Sequence, residues 1–213
     1  MVHKGFLSMT LKKVFLILLV LTLLFLSSPT SAAPLSALEG LEFLRRAFVG
    51  VNDFTADITQ EKQLSLMKKK MTASGTVRFK KPDTFYMELY SPYASRILLK
   101  DNTLTLKLPN EGVRQKMTLP REQGLGRWIS FLDRPVKSLP DGFDIRAEKR
   151  GETVTLQITP RQKGAMKEIQ LSLWQDGRLK RIVLEENNRD RTVIIFHHMK
   201  KNTGLPERDF RLE

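Results

Sequence analysis

The chain has 213 residues, 36 Lys and Arg against 23 Asp and Glu, a formal net charge of +13, and no cysteine. That length suits one domain with a real core, and 41% apolar residues exclude a disordered chain. The lack of cysteine excludes a disulfide scaffold, a cysteine-ligated zinc site, thiol catalysis and an anchor on an acylated N-terminal cysteine.

Residues 1–32 read as a cleaved secretory signal peptide. Lys4, Lys12 and Lys13 precede an apolar run from Val14 to Leu26, and Thr30–Ser31–Ala32–Ala33 supplies small residues for cleavage after Ala32. The run is short of the ~20 residues that span a bilayer. Residues 33–213 are then a single exported domain, with a charge of +10 once the three lysines are subtracted from +13.

Ser36-x-x-Glu39 has the spacing of a capping box, so a helix starts there, with Leu38, Leu41, Leu44 and Phe48 as its apolar stripe and Gly50 as its stop. From Asp53 the period changes to two. Phe54–Ala56–Ile58, Gly75–Val77–Phe79, Phe85–Met87–Leu89 and Leu104–Leu106–Leu108 alternate with polar residues, as do Phe143–Ile145–Ala147, Val154–Leu156–Ile158 and Ile169–Leu171–Leu173. Asp176–Gly177 marks a tight hairpin, and strands over 178–186 and 191–199 close the series. About ten short strands with one apolar phase predict an antiparallel barrel or a strongly curved sheet. Two stretches break that pattern. Met67–Lys68–Lys69–Lys70–Met71 reads as a hairpin tip or loop, and Trp128, Phe131 and Leu132 have helical spacing, which predicts a short helix or lid between strands.

The residues offer no catalytic machinery. His197 and His198 are adjacent in a strand, which predicts opposite faces and no shared metal. Asp53 and Asp57 fall on the wet phase, so a glycosidase-type carboxylate pair is rejected. Gly124–Leu125–Gly126 lacks the third glycine of a dinucleotide loop, and no Gly-x-Ser-x-Gly elbow is present. No enzyme activity, cofactor or metal is expected. The basic residues are spread along the strands without interleaved aromatics, which argues against a nucleic-acid partner. The apolar phase must be covered by the chain's own helices or by an apolar guest, and pattern alone leaves both open.

The run Ala73–Met87, with Phe54–Gln60 before it and Asp176–Ile182 and Asn202–Phe210 near the end, resembles the periplasmic outer-membrane lipoprotein carrier family (LolA-type) over roughly residues 35–211. The resemblance implies an incomplete antiparallel β-barrel with an N-terminal helix and a short helical lid over a hydrophobic cavity. It implies a monomeric periplasmic carrier that takes acylated lipoproteins from an inner-membrane ABC transporter to an outer-membrane acceptor or the outer membrane surface. A lipid or glycolipid carrier, or an envelope-stress sensing module of the same fold, is the alternative. The expected cavity residues are Phe54, Ile58, Val77, Phe79, Phe85, Met87, Leu89, Leu104, Leu106, Met117, Trp128, Phe131 and Leu132, with Met87, Met117 and Met166 as flexible fillers. The family commonly has an arginine that ties the lid to the barrel immediately before the proline at 82. Here it is Lys81, which predicts a lid held less firmly or by another group.

Overall fold

The computed structural model describes residues 33–66, 69–119, 126, 129–130, 133–162 and 164–212. The expected signal peptide, Trp128, Phe131 and Leu132 lie outside the described residues.

Helix α1 spans Ala37–Phe48. Its capping box forms as the sequence requires: the Ser36 amide donates to Glu39 Oε2 at 2.9 Å, and the Glu39 amide donates to Ser36 Oγ at 3.2 Å. Leu41 and Leu44 are buried, at 0% and 7% exposure, but Leu38 is 40% exposed. The inward stripe therefore runs through Gly40 instead, where the helix backbone presses so closely on Ala147 that a Cβ would collide with the Ala147 methyl. At its C-terminus the Lys201 ammonium donates to the carbonyls of Ala47 and Gly177 at 2.7 and 2.9 Å. One cation thus joins the end of the helix to the hairpin at Asp176–Gly177, where Gly177 has φ +79°.

Twelve strands form one antiparallel sheet among the described residues: β1 (Ala33–Leu35), β2 (Asp53–Leu64), β3 (Lys69–Lys80), β4 (Thr84–Leu89), β5 (Ser95–Lys100), β6 (Thr103–Leu108), β7 (Val113–Thr118), β8 (Phe143–Arg150), β9 (Thr153–Pro160), β10 (Met166–Trp174), β11 (Leu179–Glu186) and β12 (Arg191–Lys201). Their order is β1-β8-β9-β10-β11-β12-β2-β3-β4-β5-β6-β7. Two meanders, β2–β7 and β8–β12, meet at the β12–β2 seam. Neither β1 nor β7 pairs with the other, so the sheet is open, an incomplete barrel. Helix α1 lies against β8 and β9 on the inner face.

Several strands depart from the alternation that reveals the others, among them β11 with Ile182–Val183–Leu184 and β12 with Val193–Ile194–Ile195–Phe196. In β5 the run Ile97–Leu98–Leu99 is apolar on both faces, and in β7 all but Val113 are exposed, as expected of a polar edge. β1 has only three residues. Of the stretch read as a hairpin tip or loop, residues 69–71 open β3, and 67–68 lie outside the described residues.

Candidate apolar binding site

Strand register decides which side chains share a face. Phe54 is opposite Phe79, Phe79 opposite Phe85, Phe85 opposite Leu99, Leu99 opposite Leu104, and Leu104 opposite Met117. A parallel row runs from Ile58 through Gly75 to Leu89, and a third from Val77 through Met87 and Ile97 to Leu106. All ten strand residues expected in a cavity therefore lie on the inner face, the one that carries α1.

Their cover is uneven along the sheet. Phe54, Ile58, Val77, Phe79, Met87 and Leu89 are all under 9% exposed and belong to the packed core. Phe54 stacks on Phe79 with ring centroids 5.3 Å apart, and Phe48 of the helix meets Phe54 edge-on at 6.0 Å. Phe85 and Ile97 are half-buried at the margin of that core. Beyond them, Leu99, Leu104 and Leu106 stay half-buried outside it, and Met117 on the edge strand is 59% exposed. Met117 thus has the inward phase without the burial, because β7 is the edge of the sheet among the described residues. Met166 is half-buried at the start of β10. The inner face is dry at β2–β4 and incompletely covered at β5–β7.

Of the segment expected to be a lid, residues 126, 129–130 and 133–140 are described. Gly126, Ile129 and Ser130 are helical; the Ser130 hydroxyl donates to the Gly126 carbonyl at 2.8 Å and the Asp133 amide to the Ile129 carbonyl at 2.9 Å. Ile129 and Val136 pack against the core. Two polar ties hold the segment's described residues to the rest of the chain. Lys81 Nζ, in the β3–β4 turn, reaches Asp133 Oδ1 at 2.6 Å. The Val136 amide donates to Glu42 Oε2 at 3.3 Å on α1.

Glu42 is held as a carboxylate by paired hydrogen bonds from Arg45, both 2.8 Å, with Arg46 at 3.1 Å. Arg45 foremost, with the Val136 amide and Arg46, lowers its pKa from the usual 4.5 to about 2 against the opposing effect of burial. A depressed carboxylate contributes stability that is fully present above its unfolded pKa and is lost as pH falls through the folded one. The tie to Val136 is therefore expected to persist from neutral pH to about pH 3.5 and to fail only below it. The Val136 amide proton shift followed by NMR checks this: a midpoint near the ordinary glutamate value would show that Glu42 is not so held.

The outer face carries a different construction. Asp53, read from its phase as wet, is 6% exposed. Its carboxylate accepts from the Thr203 amide at 2.7 Å, the Thr203 hydroxyl at 3.0 Å and the Gly204 amide at 3.0 Å. Lys80 Nζ donates to the Leu205 carbonyl at 2.9 Å, Arg78 to the Asp209 carbonyl at 3.0 Å, and Phe210 is buried at 4% exposure. The C-terminal segment is thereby clamped over β2–β5, and the alternation could not reveal this because a strand's wet phase becomes dry wherever a later segment lies on it. A groove of about 360 Å³, lined in part by Leu98, Lys100, Arg114 and Phe210, opens on this outer face.

The histidines also depart from alternation. A register shift between His197 and Lys200, with His198 at φ +48°, brings both rings to the outer face of β2. His197 Nε2 lies 3.2 Å from Thr59 Oγ1 and His198 Nδ1 lies 3.0 Å from Asp57 Oδ2. Among the described residues no group of three or more His, Asp or Glu is arranged to hold a metal ion.

Comparison with known proteins gives these features a family context. The sequence model described as Outer membrane lipoprotein carrier protein LolA matches residues 49–213. An outer-membrane lipoprotein carrier protein of Pseudomonas putida is 22% identical over 142 residues, 66% of this chain and 67% of the relative. A LolA superfamily protein from Nitrosomonas europaea has a similar structure, with a TM-score of 0.45, 15% identity, and coverage of 84% of this chain and 98% of that one. The MucA/MucB complex of Pseudomonas aeruginosa contains a chain matched at a TM-score of 0.46 and 14% identity, over 83% of this chain and 61% of that one.

Proposed function

Because the chain belongs to the LolA family of outer membrane lipoprotein carrier proteins, we propose that it shields the acyl chains of lipoproteins against its inner face and carries them across the periplasm, from an inner-membrane ABC transporter to an acceptor at the outer membrane. The family is one of carriers, not enzymes, and a periplasmic location accords with it; export through a cleaved signal peptide over residues 1–32 belongs to this proposal. The observation that carries the reading is the incompletely covered row Leu99, Leu104, Leu106 and Met117, which continues the core's apolar face without being packed into it. Burying a methylene is worth ~0.8 kcal/mol, so a ~16-carbon chain gains more from such a surface than the surface loses by waiting in water. At the open end Met117 is the adaptable filler beside the more rigid walls Leu104 and Leu106. Trp128, Phe131 and Leu132 complete the guest site in this proposal.

The segment around Ile129 serves as the lid, with Lys81 as its latch through Asp133. Lysine brings one compact ammonium where a guanidinium would bring a fork of donors. The pair is partly exposed, at 25% and 49%, and worth ~1 kcal/mol or less. A weak latch suits a lid that must release.

Native mass spectrometry of protein recovered from the periplasm tests the reading. Bound acylated protein is expected, and Leu106→Glu is expected to remove it while leaving the fold intact. Lys81→Met is expected to shorten cargo retention, and Lys81→Arg to lengthen it. Free lipid in place of lipoprotein would instead identify a lipid carrier, and an empty protein under all conditions would overturn both.

A further inference from the structure

The groove on the outer face lies on the opposite side of the sheet from the proposed guest, and its construction follows from strand register. Lys116 of β7 stands opposite Thr105 of β6, Thr105 opposite Leu98 of β5, and Leu98 opposite Tyr86 of β4. Leu98, half-buried, and Thr105, 5% exposed, form the floor. Arg78 lies over the Tyr86 ring at 5.3 Å and donates to the Asp209 carbonyl, which seats Phe210 as the far wall. The groove therefore has two fixed sides, the edge strand and the clamped C-terminal segment. Its volume, about 360 Å³, is that of a small-ligand site.

The charge around it is one-sided. Arg114 and Lys116 are two residues apart on β7, so both side chains leave the same face with about 7 Å between their Cα atoms. No carboxylate of the described residues lies within ion-pair distance of either. The row beside Arg114 continues through Lys107 and Arg96 to Glu88, and Arg96 pairs with Glu88 at 2.8 Å. Lys100, at the other end of the groove, shares Glu207 with Lys80, at 3.3 and 3.1 Å. One acid, Asp101, lines the groove. Lys100, Arg114 and Lys116 against Asp101 leave two positive charges in excess, and Lys80 with Glu207 adds nothing to that sum. The excess does not rest on Arg211, which also lines the groove and which Glu213 follows closely in sequence.

The Thr105 hydroxyl gives this charge a direction. Its residue is otherwise buried, it lines the groove, and no hydrogen bond among the described residues engages it. A guanidinium, an ammonium and a hydroxyl around one floor match a tetrahedral oxyanion, which presents three free oxygens where a carboxylate presents two. Leu98 offers an apolar bed to the organic remainder. We infer that the groove binds a phosphate ester, with its oxygens between Arg114 and Lys116 and against the Thr105 hydroxyl. A soluble phosphomonoester and the phosphodiester of a lipid head group share this chemistry. The inference is independent of any guest on the inner face.

Isothermal titration of the exported protein at fixed ionic strength tests it, with glycerol 3-phosphate, glycerophosphoglycerol, inorganic phosphate and malate as probes. Saturable binding is expected for an ester and weaker binding for inorganic phosphate and malate. Preference for glycerol 3-phosphate would identify a soluble monoester as the ligand, and preference for glycerophosphoglycerol a lipid head group. Arg114→Gln and Lys116→Gln should each weaken binding about tenfold. Thr105→Val should weaken it about fivefold, and Thr105→Ser, which keeps the hydroxyl, should not. Arg181→Gln, exposed on β11 away from the groove, should leave it unchanged. Failure of both esters to bind overturns the inference, as does binding of malate or inorganic phosphate as tight as theirs. So does an equal loss in Arg181→Gln and Lys116→Gln, which would indicate attraction by net charge without a site.

Discussion

Asp53→Ala is expected to lower stability by ~2–4 kcal/mol and to free the C-terminal segment from the outer face, since it leaves several buried donors without an acceptor at once. Burial by itself pushes the Asp53 carboxyl up, but the Thr203 amide and hydroxyl with the Gly204 and Leu205 amides outweigh it and hold the group below the usual aspartate range. The stabilisation is therefore complete above the unfolded pKa of about 4 and disappears as pH falls through the lower folded value. Urea denaturation of the parent and the variant should differ at neutral pH and converge in acid. Amide exchange at 203–210 should accelerate in the variant alone. A gap that stays constant down to about pH 2 would show that the carboxylate's charge is not what the loop requires.

Gly75→Ala is expected to cost ~3 kcal/mol or more, because a Cβ there runs into the Glu88 carbonyl of the neighbouring strand and backbone cannot step aside as a side chain can. Gly75 sits on the inner face between Ile58 and Leu89, so its missing side chain lets β3 and β4 close together where the sheet bends over its core. The melting temperature should fall by roughly 6–12 °C. Gly164→Ala, where nothing lies within 4 Å, is the control and should not move it. Equal melting temperatures for all three proteins would show that the β3–β4 pair accommodates the methyl group.

Much of this architecture is legible in the chain because one physical rule governs most of it. Strands β2, β3, β6 and β8–β10 carry their apolar side chains mainly on the inner face, and a period of two follows from that. The rule fails where its premise fails. Leu98 faces the C-terminal segment, so β5 is apolar on consecutive positions; β7 has little to bury on either side. The bulge after His197 reverses the direction that simple alternation gives His198. Asp53 looks solvated until residues 203–205 arrive some 150 positions later. The inner-face residues could be assigned from phase alone. Asp133 as the partner of Lys81 could not, because no local pattern encodes an ion pair across 52 residues.

The seam between β12 and β2 bears on how the chain acquires its shape. Each meander is joined by hairpins and can assemble from neighbours in sequence, which is rapid. The seam, and the seating of α1 on β8 and β9, bring together segments separated by most of the chain, and such closures are entropically dear. The helix that emerges first must wait for strands synthesised about a hundred residues later. Until they arrive its greasy stripe is bare, so nascent protein should depend on holding factors during export, and a circular permutant opened in the β7–β8 connection, which leaves only the C-terminal segment, β1 and α1 between β12 and β2, should refold faster than the natural order.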